Sequence, residues 1–299
     1  MHVFDRRTGM NIVIDEVTVD RAQWSAAPRQ VSIALTNACD LACRFCYAPK
    51  YHSVASLDSV SAWVEELDAG GCLGVGFGGG EPTLYRDLPR LCRRACERTN
   101  LAISLTTHAH RFTPRLIGEL DGVVHFIRVS VDGTGVTYER IRGRSYDDLC
   151  GKLELIAASF PTGVNCVVNE ATIGELDAVA DLAASSGAVE LLLLPQLAAG
   201  GLPGADPSVI AQMLDWVNLY IAGRGSLMIT VAAGLTGDVR VADPLPGELG
   251  LRSYAHVDAT GTLRPTSFSD HGVAIGDRGF LAALAELAES IEPFEGGFK

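Results

Sequence analysis

A regular alternation of short apolar runs with amphipathic segments constrains the fold of this 299-residue chain more than any other feature. From Val31 onward, strand candidates and helix candidates follow each other, and six strand–helix units lie between residues 31 and 222. The strand candidates, such as Leu73–Phe77 and Val189–Leu194, are almost continuously apolar. Such runs are typical of parallel strands that are buried on both faces of a sheet. The pattern therefore predicts an α/β fold, with a parallel sheet covered by helices.

The number of units limits the architecture. Six units are too few for a closed eightfold barrel, so an open partial barrel and a doubly wound sheet both fit. Before the repeat, Asn11–Val19 alternates in polarity and predicts a strand. After it, Tyr254–Asp258 and Leu263–Thr266 predict a β-hairpin, and Phe280–Ile291 predicts a final helix. We expect three parts: a β extension at 1–30, the barrel at 31–235 and a C-terminal segment at 236–299.

Charge and composition exclude several classes of protein. The chain has 36 acidic and 24 basic residues, a formal net charge of −12, which argues against a nucleic-acid partner because such partners need a basic surface. Apolar runs such as Leu191–Leu194 are far shorter than a membrane span, so no membrane partner is expected. The N-terminus shows no apolar stretch of a signal peptide. Eight cysteines are too sparse for a disulfide scaffold, and we expect a cytoplasmic protein.

Three of the eight cysteines lie within one short segment directly after the first strand of the repeat. Cys39, Cys43 and Cys46 have the spacing C-x₃-C-x₂-C. Three thiolates on one loop can hold three irons of a [4Fe–4S] cluster and leave the fourth iron open. Two alternatives remain at this point: a zinc site completed by His52, and three cysteines that only pack. The other five cysteines are predicted to pack in the core.

Further motifs follow the cysteines in order. Phe45 occupies the position before the third cysteine, and Gly78–Pro82 reads Gly-Gly-Gly-Glu-Pro after the second strand. Leu105–His108 and Arg128–Gly133 follow at the next strand ends, and Ile141–Gly143 follows them at the usual distance. Together these motifs, over residues 31–170, resemble the radical S-adenosylmethionine (SAM) superfamily. The resemblance implies a partial (β/α)6 TIM-like barrel.

The resemblance also implies cofactors and an activity. In this family, one [4Fe–4S] cluster binds SAM at its open iron, an electron cleaves SAM, and a 5′-deoxyadenosyl radical abstracts hydrogen from a substrate. The expected cofactors are therefore one cluster on Cys39, Cys43 and Cys46, together with SAM. An electron donor such as a ferredoxin or flavodoxin is an expected partner.

The same resemblance assigns a set of residues to SAM. The glycine turn is expected near the amino group of SAM, a serine and an arginine near its carboxylate, and strand-end residues near its ribose, adenine or the substrate. The ten residues are Phe45, Gly79, Gly80, Glu81, Thr106, His108, Ser130, Asp132, Arg142 and Asn169. Glu81 has a second interpretation, in which it fixes the turn, and His108 stands where relatives carry asparagine.

The C-terminal hairpin resembles the cluster-binding twitch or SPASM module of related enzymes, but Thr266 and Ser267 stand where a ligand cysteine is expected. No cysteine follows Cys166, so the segment is expected to bind no auxiliary cluster and to close the open side of the barrel. The substrate stays open between a small metabolite (a sugar, nucleoside or amino acid) and a ribosomal peptide. Residues 1–30 are too short for a leader-binding domain, which would then be a separate protein. The alternatives to an enzyme are a non-catalytic Fe–S or SAM-binding protein and a zinc-binding interaction module.

Overall fold

The structure is a computed structural model that describes residues 2–14, 16–17, 19–223, 225–231 and 250–291. Its centre is a ten-stranded sheet in the order β12-β11-β10-β3-β4-β5-β6-β7-β8-β9, and a separate pair, β1-β2, precedes it. The strands are β1 His2–Phe4, β2 Asn11–Val13, β3 Gln30–Thr36, β4 Gly74–Gly79, β5 Ala102–Thr107, β6 Phe126–Ser130, β7 Thr162–Val168, β8 Glu190–Pro195, β9 Met228–Val231, β10 Tyr254–Val257, β11 Thr262–Arg264 and β12 Val273–Ala274. The helices are α1 Leu57–Ala69, α2 Leu88–Arg98, α3 Pro114–Leu120, α4 Gly135–Arg142, α5 Tyr146–Ala157, α6 Leu176–Ser185, α7 Pro207–Ala222 and α8 Phe280–Ser290.

Strands β3 to β9 run parallel and are joined through helices, as the alternation predicts. Several helices begin where a short polar side chain accepts a backbone N–H: Ser56 for α1, Thr113 for α3, Ser145 for α5 and Asp206 for α7. The apolar side chains of one strand face pack under these helices. In β6, for example, Ile127 and Val129 are buried, whereas Phe126, Arg128 and Ser130 point to the opposite, inner face. That inner face forms the lumen of a partial barrel.

The predicted C-terminal hairpin is present, but its position differs from the expectation that it closes the barrel. Strand β10 pairs in parallel with β3, and β11 and β12 continue outward from it in antiparallel register. Within the described ranges, β9 and β12 remain the two edges of the sheet, so the sheet is open. The hairpin therefore lengthens the sheet on the β3 side, where it stands next to the cysteine loop.

The N-terminal extension is less regular than predicted. Only Asn11–Val13 of the expected strand Asn11–Val19 is a strand, and it pairs with β1, which the sequence pattern did not indicate. Val17 and Val19 are exposed, because no partner strand from the described part of the chain lies against them. The extension is tied to the sheet by Arg6, whose guanidinium donates to the carbonyl oxygens of Thr99 (2.7 Å) and Leu101 (3.2 Å).

One helix of the barrel and one domain boundary complete the comparison with the sequence-based predictions. Helix α4 was not predicted, because it begins with Gly135, Val136 and Thr137 and buries only Tyr138, which leaves no apolar stripe to detect. The expected boundary between residues 235 and 236 lies outside the described residues. Among the described helices, none has both the length and the apolar character to cross a membrane.

Candidate cofactor site

The loop that carries the three cysteines leaves the carboxyl end of β3 and returns to it. Asn37 N donates to Ser53 O (3.0 Å) and Ala55 N donates to Leu35 O (2.9 Å), so the two ends of the loop are closed against the strand. In parallel α/β folds the carboxyl ends of the strands meet at one edge, where such loops converge. The cysteine loop therefore faces the ends of β4, β5 and β6.

The three thiols sit in different surroundings. Cys43 is buried, and Cys39 and Cys46 are half-buried. Burial raises the pKa of Cys39 and of Cys43, and the nearby Arg142 guanidinium acts in the opposite direction on Cys43. Arg142 Nη1 lies 3.7 Å from Cys43 Sγ, and Leu41 N donates to Cys39 Sγ (3.4 Å). These donors favour thiolates, which is the form that binds metal.

The spacing of the sulfurs allows a test of the cofactor. Sulfur ligands of one tetrahedral zinc lie about 2.3 Å from the ion, which brings them within about 4 Å of each other. The sulfurs of Cys39, Cys43 and Cys46 do not form such a set within 4.8 Å. His52, the proposed fourth zinc ligand, is exposed and belongs to no group of close ligand atoms among the described residues. At least one pair of these sulfurs is therefore farther apart than two ligands of one zinc ion, and the close group that does form among the described residues is Cys39 with Asp40 and His108.

Asp40, between the first two cysteines, is held by cationic and donor groups from two other loops. Its carboxylate lies 2.8 Å from His108 Nε2, 3.0 Å from Arg144 Nη2 and 3.7 Å from Arg111 Nη1. His110 N donates to His108 Nδ1 (3.2 Å), so the proton of a neutral His108 ring is on Nε2 and points to Asp40. His108 is only 4% exposed and therefore anchors the cysteine loop. Asp40 is a site residue that sequence reasoning missed, although its place within the motif was a signal.

The glycine turn after β4 is shaped by its close approach to the start of the cysteine loop. Gly79 has φ +122°, and a Cβ there would lie 2.3 Å from Thr36 O. A Cβ on Gly80 would lie 2.3 Å from Ala38 O, and Gly80 N donates to Thr36 O (2.7 Å). A Cβ on Gly78, in contrast, would meet nothing within 4 Å. Gly79 and Gly80 are thus required for packing, whereas Gly78, which was not among the predicted site residues, leaves open space at the site.

Glu81 fixes this turn to the end of β5. Its side chain is 1% exposed, and Oε1 accepts from Thr83 N (3.1 Å), Thr83 Oγ1 (2.7 Å) and Thr107 Oγ1 (2.7 Å). Oε2 accepts from His108 N (3.0 Å). Both carboxylate oxygens are therefore occupied by protein donors, which supports the second interpretation of this residue.

Asp132 and Arg142 form a buried ion pair beside the cysteine loop. Asp132 Oδ2 contacts Arg142 Nη2, and Asp132 Oδ1 accepts from Val167 N (2.8 Å). Burial acts to lower the pKa of Arg142, but the negative charges of Asp132 and Cys43 outweigh it, so the pKa is raised above its usual value. The Arg142 Cζ atom lies 5.8 Å from the centroid of the Phe45 ring. The pair holds the guanidinium between Cys43 Sγ and Phe45, so both residues are committed to protein contacts.

The remaining predicted residues divide into two groups. Thr106 and Ser130 point into the lumen from β5 and β6 and have no side-chain hydrogen-bond partner among the described residues. Asn169 is buried. Its side-chain oxygen accepts a hydrogen bond from Ala171 N (2.8 Å), and its side-chain nitrogen donates to Gln196 Oε1 (2.9 Å), so this side chain is part of a turn. Asn165 Oδ1, on the lumen side of β7, is buried without a partner in the described structure. It is a further polar group that can meet a ligand.

All eight cysteines are free thiols. As predicted for the five outside the loop, Cys72, Cys92 and Cys166 are buried, and burial raises the pKa of Cys72 to about 12. Cys96 is half-buried on α2 and packs against the core, whereas Cys150 is half-buried on α5 outside the core, so the prediction was wrong for Cys150.

A cavity of about 260 Å³ opens between the cysteine loop, the glycine turn and the C-terminal hairpin, and we call it the hairpin cavity. The cysteine loop contributes Tyr47, and the glycine turn contributes Gly79. The hairpin contributes His256, Asp258 and Arg264. Sequence reasoning assigned no role to these residues, because only the pairing of β10 with β3 brings them to the site.

Residues 33–183, about half of the chain, match the model of the radical SAM superfamily. The chain therefore belongs to the radical SAM superfamily, and the sequence-based identification is confirmed. Its curated relatives include the sporulation killing factor maturation protein SkfB of Bacillus subtilis (strain 168), which is 28% identical over 177 residues, 55% of this chain and 42% of SkfB. The PqqA peptide cyclase of Rhodopseudomonas palustris (strain ATCC BAA-98 / CGA009) is 29% identical over 171 residues, 54% of this chain and 45% of the cyclase.

A third relative, the Fe-coproporphyrin III synthase of Methanosarcina barkeri (strain Fusaro / DSM 804), is 27% identical over 156 residues, 50% of this chain and 39% of the synthase. The chain thus spans less than half the length of these relatives. Two of the three names, the synthase and the cyclase, describe enzymes, in agreement with the expectation of a radical SAM enzyme.

The fold is similar to solved structures. Streptococcus suis SuiB bound to S-adenosylmethionine superimposes with a TM-score of 0.70 at 17% identity, over 81% of this chain and 60% of SuiB. Native anSMEcpe with bound AdoMet gives a TM-score of 0.63 at 16% identity, over 87% of this chain and 80% of anSMEcpe. At these identities the likeness concerns the fold, and it confirms the partial TIM-like barrel with an open sheet.

Proposed function

We propose that this protein is a radical SAM enzyme that modifies a ribosomally made peptide, with one [4Fe–4S] cluster held by Cys39, Cys43 and Cys46. The observation that carries the proposal is the closed cysteine loop: the start of the loop packs against Gly79 and Gly80, and Cys43 Sγ lies 3.7 Å from Arg142 of the buried Asp132–Arg142 pair. When bound there, the cluster and SAM would supply a 5′-deoxyadenosyl radical for hydrogen abstraction. The open corner would be left because the loop offers three cysteines and not four.

The protein's own groups suit the charge of such a site. Arg142 lies 3.7 Å from Cys43 Sγ, and its positive charge offsets part of the negative charge of three thiolates. Asp132 keeps that guanidinium in place, and His108 keeps Asp40 and hence the loop in place. Both are therefore positioning residues.

For SAM, the proposal uses the groups that the protein leaves open. Gly78 leaves space beside the cysteine loop, and the hydroxyls of Thr106 and Ser130 face the same lumen. Asn165 adds a buried amide oxygen without a protein partner in the described ranges. We propose Ser130, Thr106 and Phe45 as SAM contacts, and Glu81, Asp132 and Asn169 as residues that shape the site.

A peptide substrate is supported by the relatives. SkfB is a maturation protein, the PqqA protein is a peptide cyclase, and SuiB has been solved with its precursor peptide SuiA. A small metabolite is the second candidate, because the Fe-coproporphyrin III synthase also matches half of this chain. We propose that the protein acts in the cytoplasm with a small redox protein as electron donor.

Anaerobic reconstitution with iron and sulfide tests the cofactor. We expect about four irons per chain and formation of 5′-deoxyadenosine from SAM after reduction with dithionite. Alanine at position 39, 43 or 46 should abolish both, whereas Cys150→Ala, a half-buried thiol on α5, should change neither. One zinc and no iron would instead identify a zinc module, and a full cluster without SAM cleavage would identify a non-catalytic binding protein.

The substrate is tested by coexpression. Short peptide reading frames beside the gene are expressed with the enzyme, and the peptides are measured by mass spectrometry. A mass change that requires Cys39 supports peptide modification. Unchanged peptides, with turnover of a porphyrin precursor, would favour the second candidate.

A further inference from the structure

The C-terminal hairpin presents polar groups to the hairpin cavity in an ordered way. His256 and Arg264 are direct cross-strand partners in the register of β10 and β11, so their side chains share one face of the hairpin. Asp258 lies two residues beyond His256 and continues on that face. On the other side, His256 is the register partner of Ser32 in β3. Three residues of the hairpin thus meet the barrel at one wall of the cavity.

The hydrogen bonds of His256 define which nitrogen carries its proton. Tyr254 Oη lies 2.5 Å from Ser32 Oγ, and Ser32 Oγ lies 2.7 Å from His256 Nδ1. Ser32 is the phenol's one hydrogen-bond partner in the described part of the chain, so the phenol donates to Ser32 and the serine hydroxyl donates to Nδ1. In this arrangement Nε2 of His256 carries the proton, and this nitrogen has no hydrogen-bond partner in the described ranges, although the residue lines the cavity.

The ring is also neutral. His256 is 4% exposed, and burial lowers its pKa to about 4. Near pH 7 the residue therefore offers one fixed N–H donor to the cavity, without a charge of its own.

Arg264 is held in a fixed orientation with one nitrogen left over. Its Nε donates to Asp258 Oδ2 (3.0 Å), and its Nη1 donates to the carbonyl oxygens of Ser269 (2.7 Å) and Asp270 (2.9 Å). Nη2 has no hydrogen-bond partner in the ranges that the structure describes. Because the rest of the guanidinium is fixed, little side-chain freedom is lost when Nη2 binds a ligand.

The carboxylate of Asp258, the acidic neighbour, does not compete for the donors His256 Nε2 and Arg264 Nη2. Asp258 Oδ1 accepts from Thr260 N (2.9 Å) and Thr262 N (3.1 Å), and Oδ2 accepts from Arg264. Asp270 lines the cavity from an exposed position at its rim. The inner wall thus presents two donors, one of them cationic.

The opposite walls suit a side chain. The rings of Tyr47 and Phe268 lie 5.0 Å apart between their centroids, and Ala34, Ala48 and Ala198 complete an apolar lining. The volume of about 260 Å³ is below the roughly 300–1,000 Å³ of pockets for drug-sized ligands, so it suits a single amino-acid side chain.

We propose that the hairpin cavity binds a carboxylate group of the substrate peptide, through the Nε2–H of His256 and the Nη2 of Arg264. The proposal rests on the proposed function and names the chemical class of its substrate contact. A carboxylate only accepts hydrogen bonds and so matches two donors, whereas an amide would place an N–H₂ group against one of them. SAM also has a carboxylate, so the experiment must separate the two sources.

The test uses two small probes on the reconstituted full-length enzyme. N-acetylglutamate α-amide carries the carboxylate, and N-acetylglutamine α-amide is its neutral match. With saturating SAM present, ligand-observed NMR should give about tenfold tighter binding of the glutamate probe. His256→Leu and Arg264→Gln should each remove most of that preference. His256→Gln, which keeps an N–H donor, should retain more of it than His256→Leu.

Different results of this experiment distinguish an error in the site proposal from an error in the proposed function. Equal binding of both probes, or no binding of either, overturns the proposal. The titration is repeated without SAM; if the glutamate probe binds only in the absence of SAM, the carboxylate site belongs to SAM, and this result would also overturn the proposal. If Arg264→Gln lowers the unfolding temperature, the test relies on the His256 variants. Equal loss of the preference for the glutamate probe in His256→Leu and His256→Gln would then overturn the proposal. The same wild-type preparation is assayed for 5′-deoxyadenosine, because loss of that activity would count against the proposed function and not against this site.

Discussion

Replacing Asp132 by asparagine should destabilise the fold through charge alone. Asp132 is fully buried at 0% exposure, and its two oxygens bind Val167 N and Arg142 Nη2. An asparagine oxygen can still accept the hydrogen bond from Val167, which is 2.8 Å long in the present structure. The substitution therefore leaves the Arg142 guanidinium buried next to a neutral amide.

The size of the effect follows from this geometry. Removing one partner of a buried ion pair costs about 3–5 kcal/mol. With an unfolding entropy of about 2.1 cal/mol/K per residue, a chain of 299 residues should lose about 5–8 °C in Tm. The double variant Asp132→Asn/Arg142→Met has no uncompensated charge, so it should be more stable than Asp132→Asn.

Urea unfolding followed by circular dichroism, on anaerobic protein without cluster, measures these differences. Asp58→Asn is the matched control, since it breaks the 3.0 Å ion pair with Arg94 at an exposed position and should cost at most about 1 kcal/mol. The reasoning is refuted if Asp132→Asn costs no more than this control, or if the double variant is less stable than the single one.

Three further predictions concern other parts of the site. Gly79→Ala should lower the Tm by several degrees, because position 79 has a positive φ and the added Cβ would lie 2.3 Å from a carbonyl oxygen. Gly78→Ala should fold normally and bind SAM more weakly. Thermal unfolding and SAM titration of both variants test this difference. His108→Asn should release iron to a chelator about tenfold faster, since it loses the 2.8 Å contact that holds Asp40; unchanged release would contradict the anchoring role. Burial lowers the pKa of His256 to about 4, so its contribution to stability is complete above about pH 6.5 and declines as the pH falls to 4. Urea unfolding should show that the wild type loses about 3 kcal/mol more than His256→Gln over this range, and parallel losses would contradict it.

Much of the fold was predictable because local pattern and global architecture agree. The six strand–helix units and the hairpin all appear, since apolar runs that alternate with amphipathic segments are evident in sequence; the strands are fully buried on the helix side, whereas the inner face of β5 and β6 is partly open. Helix α4 escaped prediction because its stability comes from Tyr138 and the chain around it rather than from an apolar stripe. The position of the hairpin in the sheet also could not be predicted, because pairing between strands that are far apart in the chain leaves no periodic pattern in the sequence.

For the site, sequence reasoning identified the loops but not which of their residues bind other protein groups and which are free to contact SAM. It placed Glu81 and Asp132 among the SAM contacts, whereas both carboxylates bind protein donors in the structure. Such pairings depend on which strand ends lie side by side, and only the fold decides that. Asp40 and His256 were missed for the same reason, since their partners lie 68 and 224 residues away in the chain.

The parallel pairing of β10 with β3 has a consequence for how the protein matures. The first strand of the barrel acquires its neighbour on one side only after more than 200 further residues have been synthesised, as the 224-residue separation of Ser32 and His256 shows. Contacts of such high sequence separation form late and slow down folding. Until then, the β3 edge and the adjoining cysteine loop are exposed in a nascent chain. We therefore expect delivery of iron and sulfur to succeed only once the hairpin of β10 and β11 is paired with β3.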